Sequence, residues 1–297
     1  MCDRFSSLKK FSGEVRDASG NVIRKIKKSE LKVTEYSDGL VSDDYYYFFE
    51  YTPSRYPITI TYEWEIKNSD GLIGYPSFLP QKNYNQSVAQ ASYRILTPAD
   101  NPCRYRTINM QAEVSQQQTA DGNWLTEVKV QSLPAIQKEP YSPALSELLP
   151  RIYFTPRNFS FEGTKGSMDN WQTYGAWQYQ LLNGRDQIPP ALKEELQRRT
   201  ANCNTTYEKI AAVYQYLAST TRYVSIQLGI GGLQPIAAAD VHRTGFGDCK
   251  GLSNYMRAML TELGIPSTYT VISTTSRRLL ADFASANQNN HVILQVP

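Results

Sequence analysis

A change of hydropathic period across a run of prolines is the feature that most constrains this chain. Ahead of the run, Ile58-Thr59-Ile60-Thr61-Tyr62-Glu63-Trp64-Glu65-Ile66 puts every large apolar side chain on an even position and every Thr or Glu on an odd one. That two-residue period is the pattern of a half-buried antiparallel strand. The alternation recurs at Ile108, Met110, Ala112 and Val114 and at Val128 and Val130, with turn chemistry at Asp17-Ala18-Ser19-Gly20-Asn21 and Asp121-Gly122-Asn123. Many short strands without a helical stretch between them predict an antiparallel β-sandwich. Tyr45-Tyr46-Tyr47-Phe48-Phe49 reads as a strand with aromatic residues on both faces rather than as a ligand platform.

Prolines then accumulate at positions 134, 140, 143, 150 and 156. Each fixes φ and removes a backbone donor, so regular structure is repeatedly interrupted and the domain linker is expected between residues 132 and 157. Two units follow from this, 1–140 and 150–297. A chain of 297 residues more often divides than forms a single core.

Beyond the prolines the period becomes helical. Trp171, Tyr174, Gln178, Leu181 and Leu182 share one face before Asn183-Gly184, and Pro189-Pro190-Ala191-Leu192 opens a second helix with proline in its first turn. A third helix is predicted from about Thr206 to Ser219, a strand from Thr221 to Ile226, and a loop at Gly229-Ile230-Gly231-Gly232. The glycine loop is not a nucleotide site, because no GK[ST] follows it and its spacing is not GxGxxG. It is expected to serve a positive φ or a close approach by another segment.

The most regular helix is predicted from Cys249 to Leu263, where Leu252, Tyr255, Met256, Met259, Leu260 and Leu263 form an unbroken stripe ended by Gly264-Ile265-Pro266. Gly245-Phe246-Gly247-Asp248 precedes it, so a sharp turn and an N-cap residue set Cys249 in the first helical turn. A thiol there faces unpaired N–H groups and the positive end of the helix dipole, both of which favour the thiolate and are expected to lower its pKa. The shift matters, since an ordinary thiol at about 8.5 is only about 3% ionised at neutral pH. The same N–H groups suit an oxyanion on an attacked carbonyl.

A nucleophilic thiol needs a base, and the chain has two histidines. His242 is read in the loop before the helix, as a capping or solvated side chain. His291 opens the apolar run His291-Val292-Ile293-Leu294-Gln295-Val296, a strand that returns after a strand near Tyr269 to Ser273 and an exposed loop through Asp282. It is the expected base. Cys2, Cys103 and Cys203 are read as structural, and the wide spacing of the four cysteines argues against a disulfide framework and a zinc site.

Gly-Asp-Cys-Lys at 247–250 opening an amphipathic helix, followed by His-Val at 291–292 opening a strand, resembles the transglutaminase-like superfamily of papain-related cysteine enzymes. Tyr223 to Gly229 and Gln234-Pro235 resemble the approach to that motif in bacterial members. The resemblance covers about residues 150–297, and the β-rich region before it resembles the uncharacterised domain that often precedes this core in bacterial proteins. It implies an α+β core and a Cys-His-Asp triad, with Cys249 as nucleophile and His291 as acid and base. Papain-like enzymes also use an upstream glutamine amide for the oxyanion, and Gln227 is the candidate. The orienting aspartate normally follows the histidine strand, whereas this sequence stops at Pro297; the fold is therefore expected to be incomplete at its C-terminal edge and that carboxylate to lie beyond it. Asp282 is a poor substitute on chain order, because it precedes His291.

These residues lead to thiol-dependent acyl chemistry on a peptide or protein substrate, with hydrolysis preferred to transfer to an amine. The rival from another class is a non-catalytic protein-binding module that keeps the fold. No cofactor or metal is implied. A net charge of +3, from 31 basic and 28 acidic residues, makes no case for nucleic acid, and 41% hydrophobic with 20% charged residues describes an ordinary globular chain. No window reaches the roughly 18 apolar residues of a transmembrane helix, and MCDRFSSLKKFSGEVRDASG holds no signal-peptide core. The resemblance alone leans towards a bacterial cell envelope.

Overall fold

The computed structural model describes residues 2–35, 40–70, 72–110, 112–275 and 279–297. The chain opens with β1 (Ser6–Arg16), β2 (Val22–Lys27), β3 (Lys32–Glu35), β4 (Leu40–Ser42), β5 (Tyr45–Phe48) and β6 (Thr59–Asn68). β1 is the centre of an antiparallel sheet ordered β2-β1-β6, and β3 pairs with β5. The turn after β1 closes as its composition dictates: Asp17 Oδ1 accepts from the N–H groups of Ser19 and Asn21, each at 2.9 Å.

The alternation in β6 sets its facing as expected, yet the apolar side is only partly covered. Ile60, Tyr62 and Trp64 are 42%, 54% and 54% exposed, although Val15, paired with Ile60, is fully buried. β6 is an edge strand, and packing thins across the sheet towards its rim. Tyr62 and Trp64 meet each other there, with ring centroids 5.5 Å apart.

A second antiparallel sheet, β7-β10-β9, is built from β7 (Val88–Thr97), β9 (Val114–Gln118) and β10 (Trp124–Leu133), while β8 (Arg104–Ile108) lies apart from it. The alternation at Ile108, Met110, Ala112 and Val114 does not form one continuous strand. Instead β8 ends at Ile108, Asn109 takes φ +51°, and β9 starts at Val114; Gln111, within that run, is outside the described residues.

The proline-rich stretch carries a short helix, α1 (Leu145–Leu148), and then β11 (Arg151–Thr155), which pairs antiparallel with β8. Ile152 and Phe154 of β11 are fully buried in a core with Ile95, Val128 and Val130 of the β7-β10-β9 sheet. Strand pairing therefore ties the segment after the prolines back into the strand-rich region. A hairpin of β12 (Asn158–Phe161) and β13 (Thr164–Ser167) follows.

The helices are α2 (Trp171–Gln180), α3 (Pro190–Thr200), α4 (Thr206–Thr220), α5 (Ala238–Thr244) and α6 (Cys249–Glu262). Proline opens α3 as expected, and Thr205 caps α4, its hydroxyl accepting from Glu208 N at 3.1 Å. Leu192, Leu196, Val213, Leu217, Met259 and Leu260 are among the buried residues of their common core. Short strands link the helices: β14 (Arg222–Tyr223), β15 (Ser225–Gln227) and β16 (Phe246–Gly247), with β14 and β16 parallel. β15 instead pairs in parallel with β4, so a strand from the first quarter of the chain lies beside the one that carries Gln227. The chain continues into the antiparallel pair β17 (Thr268–Ile272) and β18 (His291–Gln295), which packs against α6. The whole is an α+β fold.

Candidate functional site

The turn into α6 is built by its glycines. Gly245 ends α5 in the left-handed region at φ +67°, Phe246-Gly247 makes a two-residue strand against β14, and Asp248 takes an extended conformation as N-cap. Its Oδ1 accepts from the N–H groups of Lys250 at 3.1 Å and Gly251 at 3.0 Å. Cys249 is thus in the first turn of the helix, as the sequence predicted, and it is half-buried.

His291 is the first residue of β18, paired with Ile272 at the end of β17. Cys249, His291 and Gln227 line one cavity of about 390 Å3, together with Gln178, Lys250, Asn289 and Asn290 among its polar residues. The three side chains singled out in the sequence are therefore brought together from a helix start, a strand start and a strand end. Gln227 Nε2 donates to Ser225 Oγ at 3.4 Å, and its side chain lies against Gly232.

His242 is elsewhere. It belongs to α5, not to a loop as expected, and its Nδ1 is 3.1 Å from the Tyr255 hydroxyl. Asp282 forms an ion pair with Arg106 at 3.0 Å and lines a different cavity. The described residues lining the thiol cavity include no Asp or Glu.

Several neighbours of the thiol went unread in the sequence. Tyr223, delivered by β14, lies beside Cys249; partial desolvation of its hydroxyl, then the nearby Cys249, pushes its phenol pKa up. Burial likewise raises Tyr269, with Cys249 and Asp248 acting in the same direction. Lys250 was read only as part of a motif, yet its ammonium is buried, ion-paired with Asp248 and 3.4 Å from the carbonyl of Ile226. Gln178 is 7% exposed, and its Nε2 donates to the Tyr174 hydroxyl at 2.9 Å. A glutamine in the apolar stripe of α2 was a legible signal; the approach of Tyr223 was not, because a two-residue parallel pairing has no period.

Among the described residues no group of three or more His, Cys, Asp and Glu could hold a metal ion, and no helix is long and apolar enough to cross a membrane.

Residues 193–296 match the family described as transglutaminase-like superfamily, and residues 3–137 match a domain of unknown function, DUF3857. A crystal structure of a "putative protease" from Parabacteroides distasonis superposes over 98% of this chain with a TM-score of 0.72 at 16% identity. The chain spans 55% of that protein's length, and at this identity the likeness concerns the fold. A "putative cysteine protease" from Cytophaga hutchinsonii is also similar, over 74% of this chain and 66% of its own, at 13% identity and a TM-score of 0.30, too low to argue from. No curated protein matches the sequence. By its motifs, its fold and these matches, the chain carries a transglutaminase-like superfamily core preceded by a DUF3857 domain.

Proposed function

We propose that this protein performs thiol-dependent acyl chemistry on a peptide-like amide, with Cys249 as nucleophile, His291 as general acid and base, and Gln227 as an oxyanion donor. The observation that carries the reading is the single cavity lined by all three, with the cysteine in the first turn of a capped helix. The Cys249 thiolate attacks the carbonyl carbon and a C–S bond forms. The oxyanion is met by helix N–H groups and the Gln227 amide. His291 protonates the departing amine as the C–N bond breaks, leaving a thioester. Water, deprotonated by His291, then releases the acid and restores the thiol.

Hydrolysis is preferred to amine transfer on the strength of the protease description given to the Parabacteroides distasonis protein. In this reading the chemistry belongs to the second expected unit, 150–297, although its first strand, β11, packs in the core of the strand-rich region. One observation favours a second reading. Among the described residues no carboxylate lines the cavity to orient His291, which suits a binding module that keeps the thiol-enzyme fold without turnover.

Thiol reactivity separates the two. Iodoacetamide labelling from pH 5 to 9, with site mapping, is expected to modify Cys249 already at pH 6. His291→Ala should lose that low-pH reactivity and His242→Ala should keep it. Cys249 labelling that grows only in step with an ordinary thiol, or is indifferent to His291→Ala, defeats the catalytic reading.

A further inference from the structure

The thiol cavity adjoins a larger one of about 520 Å3, and Gln178 and Val271 line both. The five consecutive residues Ser267 to Val271 line the second cavity, so it follows β17 lengthwise. β17 pairs with β18 along one edge and, among the described residues, with no strand along the other. A free edge offers a row of backbone donors and acceptors to an added strand. Trp171, Tyr174 and Tyr179 of α2 line the same cavity as an aromatic wall.

An independent observation concerns its polar atoms. Arg257 Nε, Ser267 Oγ and Tyr269 Oη all belong to residues lining this cavity, and all are buried with no hydrogen-bond partner among the described residues. Buried polar groups are nearly always satisfied, so each one left unpaired calls for a partner. Among the described residues Arg257 uses Nη2 alone, towards Asn254 Oδ1 at 3.2 Å and Asp186 Oδ2 at 3.3 Å, and its side chain is 14% exposed. A guanidinium held by one long ion pair, with a second edge unused, suits another carboxylate.

We propose that this groove takes an extended acidic peptide as an added strand on the free edge of β17, with Arg257 pairing its carboxylate and the hydroxyls of Ser267 and Tyr269 donating to its carbonyls. The three groups are closed to solvent, so they turn towards the peptide as it enters. At about 3.3 Å per residue, the five-residue edge matches a peptide stretch of about 17 Å. That the peptide then leads a scissile amide to Cys249 rests on the acyl-chemistry reading; its binding does not.

The test uses Cys249→Ala protein, so that binding is measured without turnover. A fluorescent positional-scanning library of N-acetylated hexapeptides is expected to show a preference for Asp or Glu at one position. Arg257→Gln should weaken the best peptide at least tenfold, and Tyr269→Phe about fivefold. Hydrogen exchange at residues 267–271 should slow when the peptide is bound. Absence of acid preference, a preference that survives Arg257→Gln, unchanged binding by Tyr269→Phe, or binding without protection of β17 would each overturn the proposal. Should Arg257→Gln fail to fold, replacing Glu by Gln in the best peptide asks the same of the parent protein: tenfold weaker binding supports the pairing and equal binding refutes it. Binding without any acyl chemistry in the parent enzyme would refute the catalytic reading alone.

Discussion

The carboxylate of Asp248 and the ammonium of Lys250, two residues apart at the start of α6, form an ion pair inside the protein, with side chains 2% and 5% exposed. The aspartate also caps the helix, and the lysine reaches the carbonyl of Ile226, the residue before Gln227. One pair thus ties the thiol's helix to the strand that carries the proposed oxyanion donor. Desolvating two charges is expensive, and removing one partner leaves the other uncompensated.

Lys250→Met is therefore expected to cost about 3–5 kcal/mol in urea unfolding. Asp248→Asn with Lys250→Met should cost less than Lys250→Met alone, because the asparagine oxygen still caps the helix and no buried charge remains. The double-mutant cycle checks the pair directly. Single losses that simply add would mean that the two charges do not depend on each other.

Phe154 extends the argument to the strand-rich region. It is fully buried, stacked on Tyr93 of β7 with ring centroids 5.2 Å apart, and lies in a strand that follows all the prolines up to Pro150. Phe154→Ala is expected to destabilise by about 3–5 kcal/mol. Hydrogen exchange should accelerate first in β7 and β10 rather than in α6. Acceleration confined to α6 and its neighbours would place β11 energetically with the helices instead.

What the sequence made legible follows from which interactions are local. The Cys249 helix, its cap and its stop are written within 20 consecutive residues, and an apolar stripe at helical spacing leaves few alternatives. The alternation of β6 likewise fixes which side chains share a face. Coverage of that face is a non-local property, which is why Tyr62 and Trp64 are exposed where burial was expected. Prolines signal interruption without saying where the chain goes next, so the return of β11 to β8 went unread. Cys249 and His291 were recoverable because each begins a regular element. Tyr223 and the pairing of β4 with β15 depend on segments meeting through a few backbone bonds, for which sequence carries no period.

The buried thiol of Cys103 supplies a pH dependence. Burial pushes its pKa from 9.0 up to about 11. Since the unfolded thiol ionises first, the stability it contributes is complete below pH 9 and is lost as pH rises through 11. At pH 10, one unit above the unfolded value, the loss is on the order of 1 kcal/mol. Tyr93, raised by burial to about 12, adds a loss that begins near pH 10. Urea unfolding of Cys103→Ala should therefore show a shallower decline between pH 8 and pH 10 than the parent. Equal slopes would mean that Cys103 ionises as readily folded as unfolded.

The glycine loop gives the last prediction. Gly229 has φ +53°, and a Cβ there would lie 3.0 Å from Arg4 Cζ and 3.1 Å from Glu162 Oε1. Arg4 Nη2 donates to Glu162 Oε1 at 2.9 Å, and Ile230 N donates to Glu162 Oε2 at 3.0 Å, so the second residue of the loop hangs on a carboxylate from the β12-β13 turn. Gly229→Ala combines a left-handed alanine, about 1–2 kcal/mol, with a steric push on that clamp. Glu162→Ala separates the two effects. Its ion pair with Arg4 is partly exposed and contributes little to global stability, so the melting curve should barely move. The Ile230 amide, deprived of its acceptor, should exchange at least tenfold faster. Because Gly232 and Leu233 at the end of this loop line the thiol cavity beside Gln227, faster exchange there should be accompanied by altered iodoacetamide reactivity at Cys249. Residues Gly229–Gly232 form a 3₁₀ turn, and an unchanged Ile230 amide would show that this turn holds the loop and that it owes nothing to Glu162.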